Sequence, residues 1–432
     1  MISNDKLKDT LLGAIPADWE MVPLGNVFEA ANNKLKDNSN GNQDIPILSM
    51  TRSDGLVLQS QKFEKRVASR DTSNYKIVKH GELVYGFPID EGVIAILHRY
   101  PIGAVSPAYQ VWKPIHEFDP TFIDYMLKIP AMMNIYNMYS SNVVERRRNL
   151  SPKDFVRIEI PLPPLPEQRA IARVLNTARK SIEATERVIK AVRELKRSLM
   201  KYLFTYGPVP IDQADQVLLK ETEIGEVPIG WNITQLSKVA SFTTKPRYLD
   251  LSLKKHIPFV PMDAIPEEGF FQEYFIMKAP HEISSGVYAE LGDILLAKIT
   301  PSFENGKQAI LTNIPLNFAY VTTEVYPLHP KNDSLLNQLF LFHYLRLPKV
   351  RFNIASKMEG TTGRQRVPKA IVQNTYLPIP CLSEQMEIIR QFNILEDKLR
   401  IEIQRKTTLE ALFTSLLHHL MTGKIRVPIS ET

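Results

Sequence analysis

Pro161-Leu162-Pro163-Pro164-Leu165-Pro166-Glu167-Gln168 leads into a stretch that runs to Tyr206 without a glycine or a proline. Proline cannot continue a helix and holds the preceding residue in extended backbone, so the strip predicts an extended approach that ends where a helix begins. From Glu167 onward Ile171, Leu175, Ala178, Ile182, Thr185, Ile189, Val192, Leu195, Leu199 and Leu203 recur in steps of three and four, the pattern of a heptad seam. A second strip, Pro378-Ile379-Pro380-Cys381-Leu382-Ser383-Glu384-Gln385, opens a second such stretch with Ile388, Phe392, Leu395, Leu399, Ile403, Leu409, Leu412, Leu416 and Leu420, weakest around Lys406. Each helix, at ~1.5 Å per residue, would be ~60 Å long. That is too long for one globule to cover, so the two helices are expected to pair with each other, antiparallel.

The repetition extends outward from the strips. Ile15-Pro16-Ala17-Asp18-Trp19 returns as Val227-Pro228-Ile229-Gly230-Trp231, Ile45-Pro46-Ile47-Leu48-Ser49-Met50 as Ile257-Pro258-Phe259-Val260-Pro261-Met262, and Gly81-Glu82-Leu83-Val84 as Gly292-Asp293-Ile294-Leu295. All keep one order, which indicates a duplicated unit of half the chain. Within each copy, short β-rich runs (45–50, 92–97, 257–262, 293–299) are punctuated by Gly, Pro and Asn, and helical spacing is read at 120–129 and 334–347. The expected fold is therefore α/β (α+β): two tandem mixed globules separated by two paired long helices, related by an internal pseudo-twofold repeat. The expected divisions are 1–160, the first long helix at 161–207, a linker at 208–226, 227–377, the second long helix at 378–424, and a tail at 425–432.

Composition excludes several classes. The 432 residues carry 53 Lys plus Arg against 47 Asp plus Glu, a net charge of +6, with 44% hydrophobic residues. That is the profile of a folded chain that permits a polyanionic partner without demanding one. Cys381 is the single cysteine, so a disulfide scaffold is out, and a reducing cytoplasm fits. The polar opening residues and the lack of any run of ~18 apolar residues argue against export and membrane spanning. The first helix is basic, with ten Lys/Arg against four acidic residues over 167–206, while the second is balanced at six against six over 384–424; such a charged face is ordinarily solvated.

Catalytic signatures are missing. Gly306-Lys307 and Gly423-Lys424 lack the upstream glycine and following hydroxyl of a phosphate-binding loop. No Asn-Pro-Pro-aromatic or Asp-Pro-Pro-Tyr motif and no dinucleotide turn occurs. Adjacent His418 and His419 point to different helix faces and cannot share a metal. Glu194-Leu195-Lys196 lies on the heptad helix, where plain helix chemistry explains it, and Cys381 has no nearby histidine to activate it.

What is present is basic. Ahead of each Pro-rich strip lies a polar loop: Glu145-Arg146-Arg147-Arg148-Asn149 in the first copy and Gly360-Thr361-Thr362-Gly363-Arg364-Gln365-Arg366 in the second, aligned by Pro152-Lys153 and Pro368-Lys369. Arginine forks suit guanine O6/N7 and phosphate, Asn or Gln suits adenine, and glycine lets backbone approach a phosphate. Weaker candidates for DNA contact are Arg52, the Lys62, Lys65, Arg66, Arg70 loop, and Lys298 and Lys307 around Thr300-Pro301-Ser302. A solvated turn is the plainer explanation of any one such loop; recurrence in both copies weighs against it.

The Pro-x-x-Trp openings, Gly292-Asp293-Ile294-Leu295 with Ile299-Thr300-Pro301-Ser302, the strips ending Glu167-Gln168 and Glu384-Gln385, and the long helices together resemble the specificity subunits of type I restriction-modification enzymes. The resemblance covers nearly the whole chain. It implies two target-recognition domains, each reading half of a split asymmetric site in double-stranded DNA, and an antiparallel coiled coil that binds modification (methyltransferase) subunits, two of them, with restriction subunits joining. It also implies a non-catalytic chain without its own cofactor: S-adenosylmethionine, ATP and Mg²⁺ would sit on the partner subunits. The first copy departs from the second by lacking the Thr-Gly-Arg-Gln loop. The rival readings are a coiled-coil scaffold that binds only protein, and a divergent nuclease or methyltransferase. The implied coiled coil acts as a ruler between two readers. Four residues inserted into the first helix add ~6 Å and about one turn, so methylation mapping should show a longer spacer or lost recognition, with half-site bases unchanged; an unaltered spacer with full activity contradicts the ruler.

Overall fold

The computed structural model describes residues 7–37, 45–51, 55–62, 71–140, 150–361 and 363–428. It divides into two compact units, Met1–Thr185 with Lys406–Thr432, and Glu186–Arg405. Each unit combines one globule with the start of one long helix and the end of the other.

In the first unit a four-stranded antiparallel sheet has the order Phe28–Ala31, Gln110–Pro114, Leu83–Tyr85, Ile94–Ile96. In the second unit the order is Ala240–Phe242, Val325–Pro330, Ile294–Ala297, Gln308–Ile310. The two orders are the same, so the duplication seen in the sequence is a duplication of topology. Each unit also pairs the strand after its tryptophan with the Pro-rich strip: Glu20–Pro23 with Glu159–Leu162, and Asn232–Gln235 with Tyr376–Ile379. The second unit also has a mixed sheet, Ile276–Lys278, Ile257–Val260, Phe318–Val321, Val287–Glu290, with one parallel pair. The first unit has its counterpart in the pairs Leu48–Thr51 with Gly55–Leu58 and Lys76–Lys79 with Ile102–Val105, joined by a parallel bridge from Ile47 to Ala104.

Where one helix was expected over 120–129 and another over 334–347, each unit has two: Pro120–Met126 and Pro130–Tyr139, Gln338–Leu345 and Pro348–Ala355. Pro130 and Pro348 end one helix and pre-set the first turn of the next. The long helices run Leu165–Tyr206 and Leu382–Met421, each starting two residues before the Glu-Gln pair. They pair antiparallel within both units. Ile171 and Leu175 of the first helix share the first unit's core with Leu416, Leu417, Leu420 and Met421 of the second. Met200, Leu203 and Phe204 meet Ile388, Ile389 and Phe392 in the second unit's core, with Ile189, Val192 and Leu399 beside them. Three expected seam positions, Leu195, Ile403 and Leu412, are exposed. A straight helix drifts relative to a 3.5-residue repeat, and their neighbours Lys196, Glu402 and Phe413 turn inward instead. Lys196 pairs with buried Glu396, and Arg346, whose pKa burial pushes down to about 10, lies 3.9 Å from the same carboxylate.

The repeated motifs meet at the helix starts. Trp19 Nε1 donates to Glu167 and Trp231 Nε1 to Glu384, each at 3.2 Å. Gln168 accepts from Asp119 N at 2.9 Å and donates to Pro163 O; Gln385 accepts from Asn337 N at 2.8 Å and donates to Pro380 O and Leu335 O. Asp119 and Asn337 are themselves the N-caps of the short helices. The far end of each long helix returns to a tryptophan, where left-handed Gly207 and Gly423 pass so close that an added Cβ would stand 3.3 Å from Trp231 and Trp19.

In the first unit this knot has an extra cation. Arg426 donates to both oxygens of Asp18 at 3.0 and 2.9 Å and to both oxygens of Glu167 at 2.5 and 2.8 Å. Arg426→Ala strands the Glu167 carboxylate, which is 1% exposed, on Trp19 alone, and should cost about 1–3 kcal/mol in urea denaturation of the full chain. The Arg426 guanidinium also holds the Asp18 carboxyl below its ordinary 3.8. That contribution is present above the ordinary value and fades as pH falls through the depressed one, a step the variant should lack. An unchanged midpoint would show that the pair is idle.

Candidate nucleic-acid interface

Residues Glu359–Thr361 and Arg364–Arg366 form a hairpin with Glu359 opposite Arg366, Gly360 opposite Gln365 and Thr361 opposite Arg364. Gly360 is required by this register, because at φ 130° an added Cβ would lie 2.7 Å from Arg364 O and 3.2 Å from Gln365 Cα. The chain around Thr300-Pro301 packs along the hairpin. Thr300 N donates to Gln365 O at 3.0 Å, Val367 N to Lys298 O at 2.8 Å, and Ile299 bridges Arg366.

Thus Lys298, Arg364, Gln365 and Arg366, far apart in sequence, share one rim of the second unit, with Thr361 and Gly363 exposed at the hairpin tip. Their side chains are held differently. Arg366 donates through Nε at 2.9 Å and Nη2 at 2.6 Å to the two oxygens of Glu324, and that guanidinium holds the Glu324 carboxyl below its usual range. Arg364 is exposed and makes no ion pair among the described residues. Lys298 lies 4.7 Å over the Tyr326 ring, its ammonium lowered in pKa by burial against the opposing pull of Glu324. Lys307 is turned aside and donates to Met262 O at 3.1 Å.

Four residues that the sequence reading did not single out as contacts complete the rim. Tyr326 donates to Val367 O at 3.0 Å and stands edge-on to Phe242, whose ring lies 4.6 Å from the Lys369 ammonium; Glu324 is the fourth. Lys369, Phe242, Tyr326 and Lys298 therefore form a row in which two adjoining rings are flanked by a cation at each end. Only tertiary folding brings them together, so no spacing could have announced them. The arrangement can donate to phosphate oxygens and to base edges; Lys298 and Lys369 are held over rings and Arg366 by a carboxylate, while Arg364 projects from the hairpin.

The corresponding candidates of the first unit, Arg52, Lys65, Arg66, Arg70, Arg146, Arg147, Arg148 and Asn149, with Thr362 of the second, lie outside the described residues, and of Lys62 only the backbone, ending a helical turn, is described. Among the described residues no three His, Cys, Asp or Glu side chains group to hold a metal, and no helix is long and apolar enough to cross a membrane. Cys381 is exposed, its Sγ 3.1 Å from Glu384. Gly360→Ala should break the hairpin without removing any side chain from the rim. Amide exchange at 364–366 should rise at least tenfold, corresponding to ~1.4 kcal/mol of lost local stability; unaltered exchange would mean the register tolerates a Cβ.

Comparison with known proteins places this geometry. The family model for the type I restriction modification DNA specificity domain matches residues 16–194 and again 228–411. A putative type I restriction enzyme specificity subunit of Methanocaldococcus jannaschii is 23% identical, over 98% of this chain and 97% of that protein. The EcoAI specificity subunit of Escherichia coli is 30% identical over 53% of this chain and 38% of its own length. The type I restriction-modification S subunit of M. genitalium shares the fold at a TM-score of 0.55 and 13% identity, over 97% of this chain and 98% of that one. With two family matches covering most of its length and coinciding with the two repeats, the chain belongs to the family of type I restriction-modification DNA specificity subunits.

Proposed function

We propose that this chain is the sequence-reading subunit of a type I restriction-modification complex, with residues 1–160 reading one half of a split asymmetric DNA site and 227–377 the other. The observation that carries the reading is the doubling: the family domain occurs twice, with the same sheet order in both copies. One reader per repeat gives a bipartite site with unlike halves, because the two copies carry different residues on a common frame.

The chain's own residues position DNA and do no bond chemistry. Modification subunits, one per repeat, would dock on the long helices and bring S-adenosylmethionine for adenine methylation; restriction subunits would bring ATP and Mg²⁺. Exchanging residues 1–160 with those of another family member should change one half-site and leave the other intact in methylation mapping, and alteration of both halves would refute separate readers. Within the second reader, Arg364→Ala tests the exposed rim. A phosphate contact predicts weaker binding on every duplex and a salt slope smaller by about one unit. A base contact instead predicts a loss of ~1–3 kcal/mol at one position. Wild-type affinity and slope would mean that the hairpin is a solvated turn.

A further inference from the structure

Arg366 and Arg364 sit two residues apart on one strand, yet only Arg366 is braced. Its Nε and Nη2 engage both oxygens of Glu324, while half of the Arg366 side chain stays exposed and Glu324 is 23% exposed. A guanidinium has five N–H donors. Occupying the Nε/Nη2 edge leaves the end-on edge, Nη1 with the second Nη2 proton, pointing away from Glu324, and Nη1 makes no hydrogen bond among the described residues. That free edge is the fork that matches guanine O6 and N7. The backbone on both sides is also fixed, by the Ile299 bridge to Arg366 and by Val367 N donating to Lys298 O.

We infer that Arg366, held by Glu324 as its positioning residue, reads one guanine in the half-site of the second unit, and that Arg364 supplies a backbone contact beside it. This rests on the DNA-reading function proposed above and assigns the roles within it. Bracing removes side-chain freedom before binding, so the fork reaches a base edge without first being ordered. The carboxylate adds discrimination of its own, since a negative charge beside the fork opposes a phosphate taking the place of the base. Lys298 on the Tyr326 ring balances part of that charge from the other side.

The Glu324 carboxylate has no counterpart at the same register position of the first repeat. Strand register equates Tyr326, paired with Leu296, to Gln110, paired with Tyr85. Two residues earlier, Glu324 then corresponds to Ala108. The first unit therefore has no carboxylate at the position of Glu324, and a guanine read in this way is expected in one half-site only.

The test uses the full chain assembled with its methyltransferase subunits. The preferred duplex is first selected from a random pool, and every single-base variant of it is then bound at two salt concentrations. Arg366→Ala should lower discrimination at one guanine by roughly tenfold to a hundredfold, and Arg366→Lys, which keeps the charge but not the fork, should do the same with an unchanged salt slope. Glu324→Gln should reduce discrimination at that same position while affinity for unrelated duplex holds or rises, because a negative charge has left the rim; a merely structural brace would lower both together. Uniform weakening by Arg366→Ala on all duplexes, with the slope reduced by about one, would make Arg366 a phosphate contact and overturn the inference. So would variants that keep wild-type discrimination at every position, and in both cases the sequence-reading function stands. A wild type that selects no sequence from the pool overturns both.

Discussion

Everything in each unit converges on a buried tryptophan bonded to a carboxylate at the start of a long helix. Trp19 to Glu167 and Trp231 to Glu384 are the same contact made twice. A buried indole N–H is costly alone, as is the buried Glu167 carboxylate, and each indole finds its acceptor here, in the second unit on the half-buried Glu384. The adjacent glutamine extends the knot to the N-cap of the first short helix, through Asp119 N in one unit and Asn337 N in the other. One dipeptide thereby fixes the edge strand, the first turn of the long helix and the entry to the helical pair. The left-handed glycines that end the long helices close on the same tryptophans, so both ends of the coiled coil are tied to a globule by one kind of joint.

Between those joints the helices are not a uniform apolar zipper. Lys196 and Arg346 share the buried Glu396, a polar layer where a leucine seam was expected. Such a layer is weak evidence for stability, but it penalises every register that would leave one of the charges unpaired. The sequence places Leu195 one residue away, on the seam by counting and exposed in fact. Register in this pair is therefore set by where charges can be satisfied as well as by hydrophobic spacing.

This explains what could be read in the sequence and what could not. The Pro-rich strips, the two long helices and the duplication were legible because each depends on local chemistry: missing N–H groups, apolar spacing, or a motif seen twice. The second short helix of each unit was not anticipated, because Pro130 and Pro348 read as stops although they also open a new helix. Arg426, read as tail, bonds Asp18 across almost the entire chain and Glu167 across more than half of it, and Glu324 finds Arg366 across two strands and two helices. Neither pair has a spacing that a linear search could test. Lys298 was singled out as a basic residue, but nothing local indicated the ring of Tyr326 beneath it.

The contacts that hold the frame and those that face outward are separate in kind. The joints use indole, carboxylate and primary amide groups that are buried or nearly so, and a substitution there is felt throughout the unit. The rim of the second unit hangs on backbone bonds, Thr300 N to Gln365 O and Val367 N to Lys298 O, which, Gly360 apart, do not depend on which side chains the hairpin carries. A reader built this way can exchange its outward residues while its strand register persists, because the hydrogen bonds that place the hairpin belong to the main chain. Ala108 and Glu324, at one topological position in two units of the same protein, show how far such positions diverge while the sheet order beneath them stays the same.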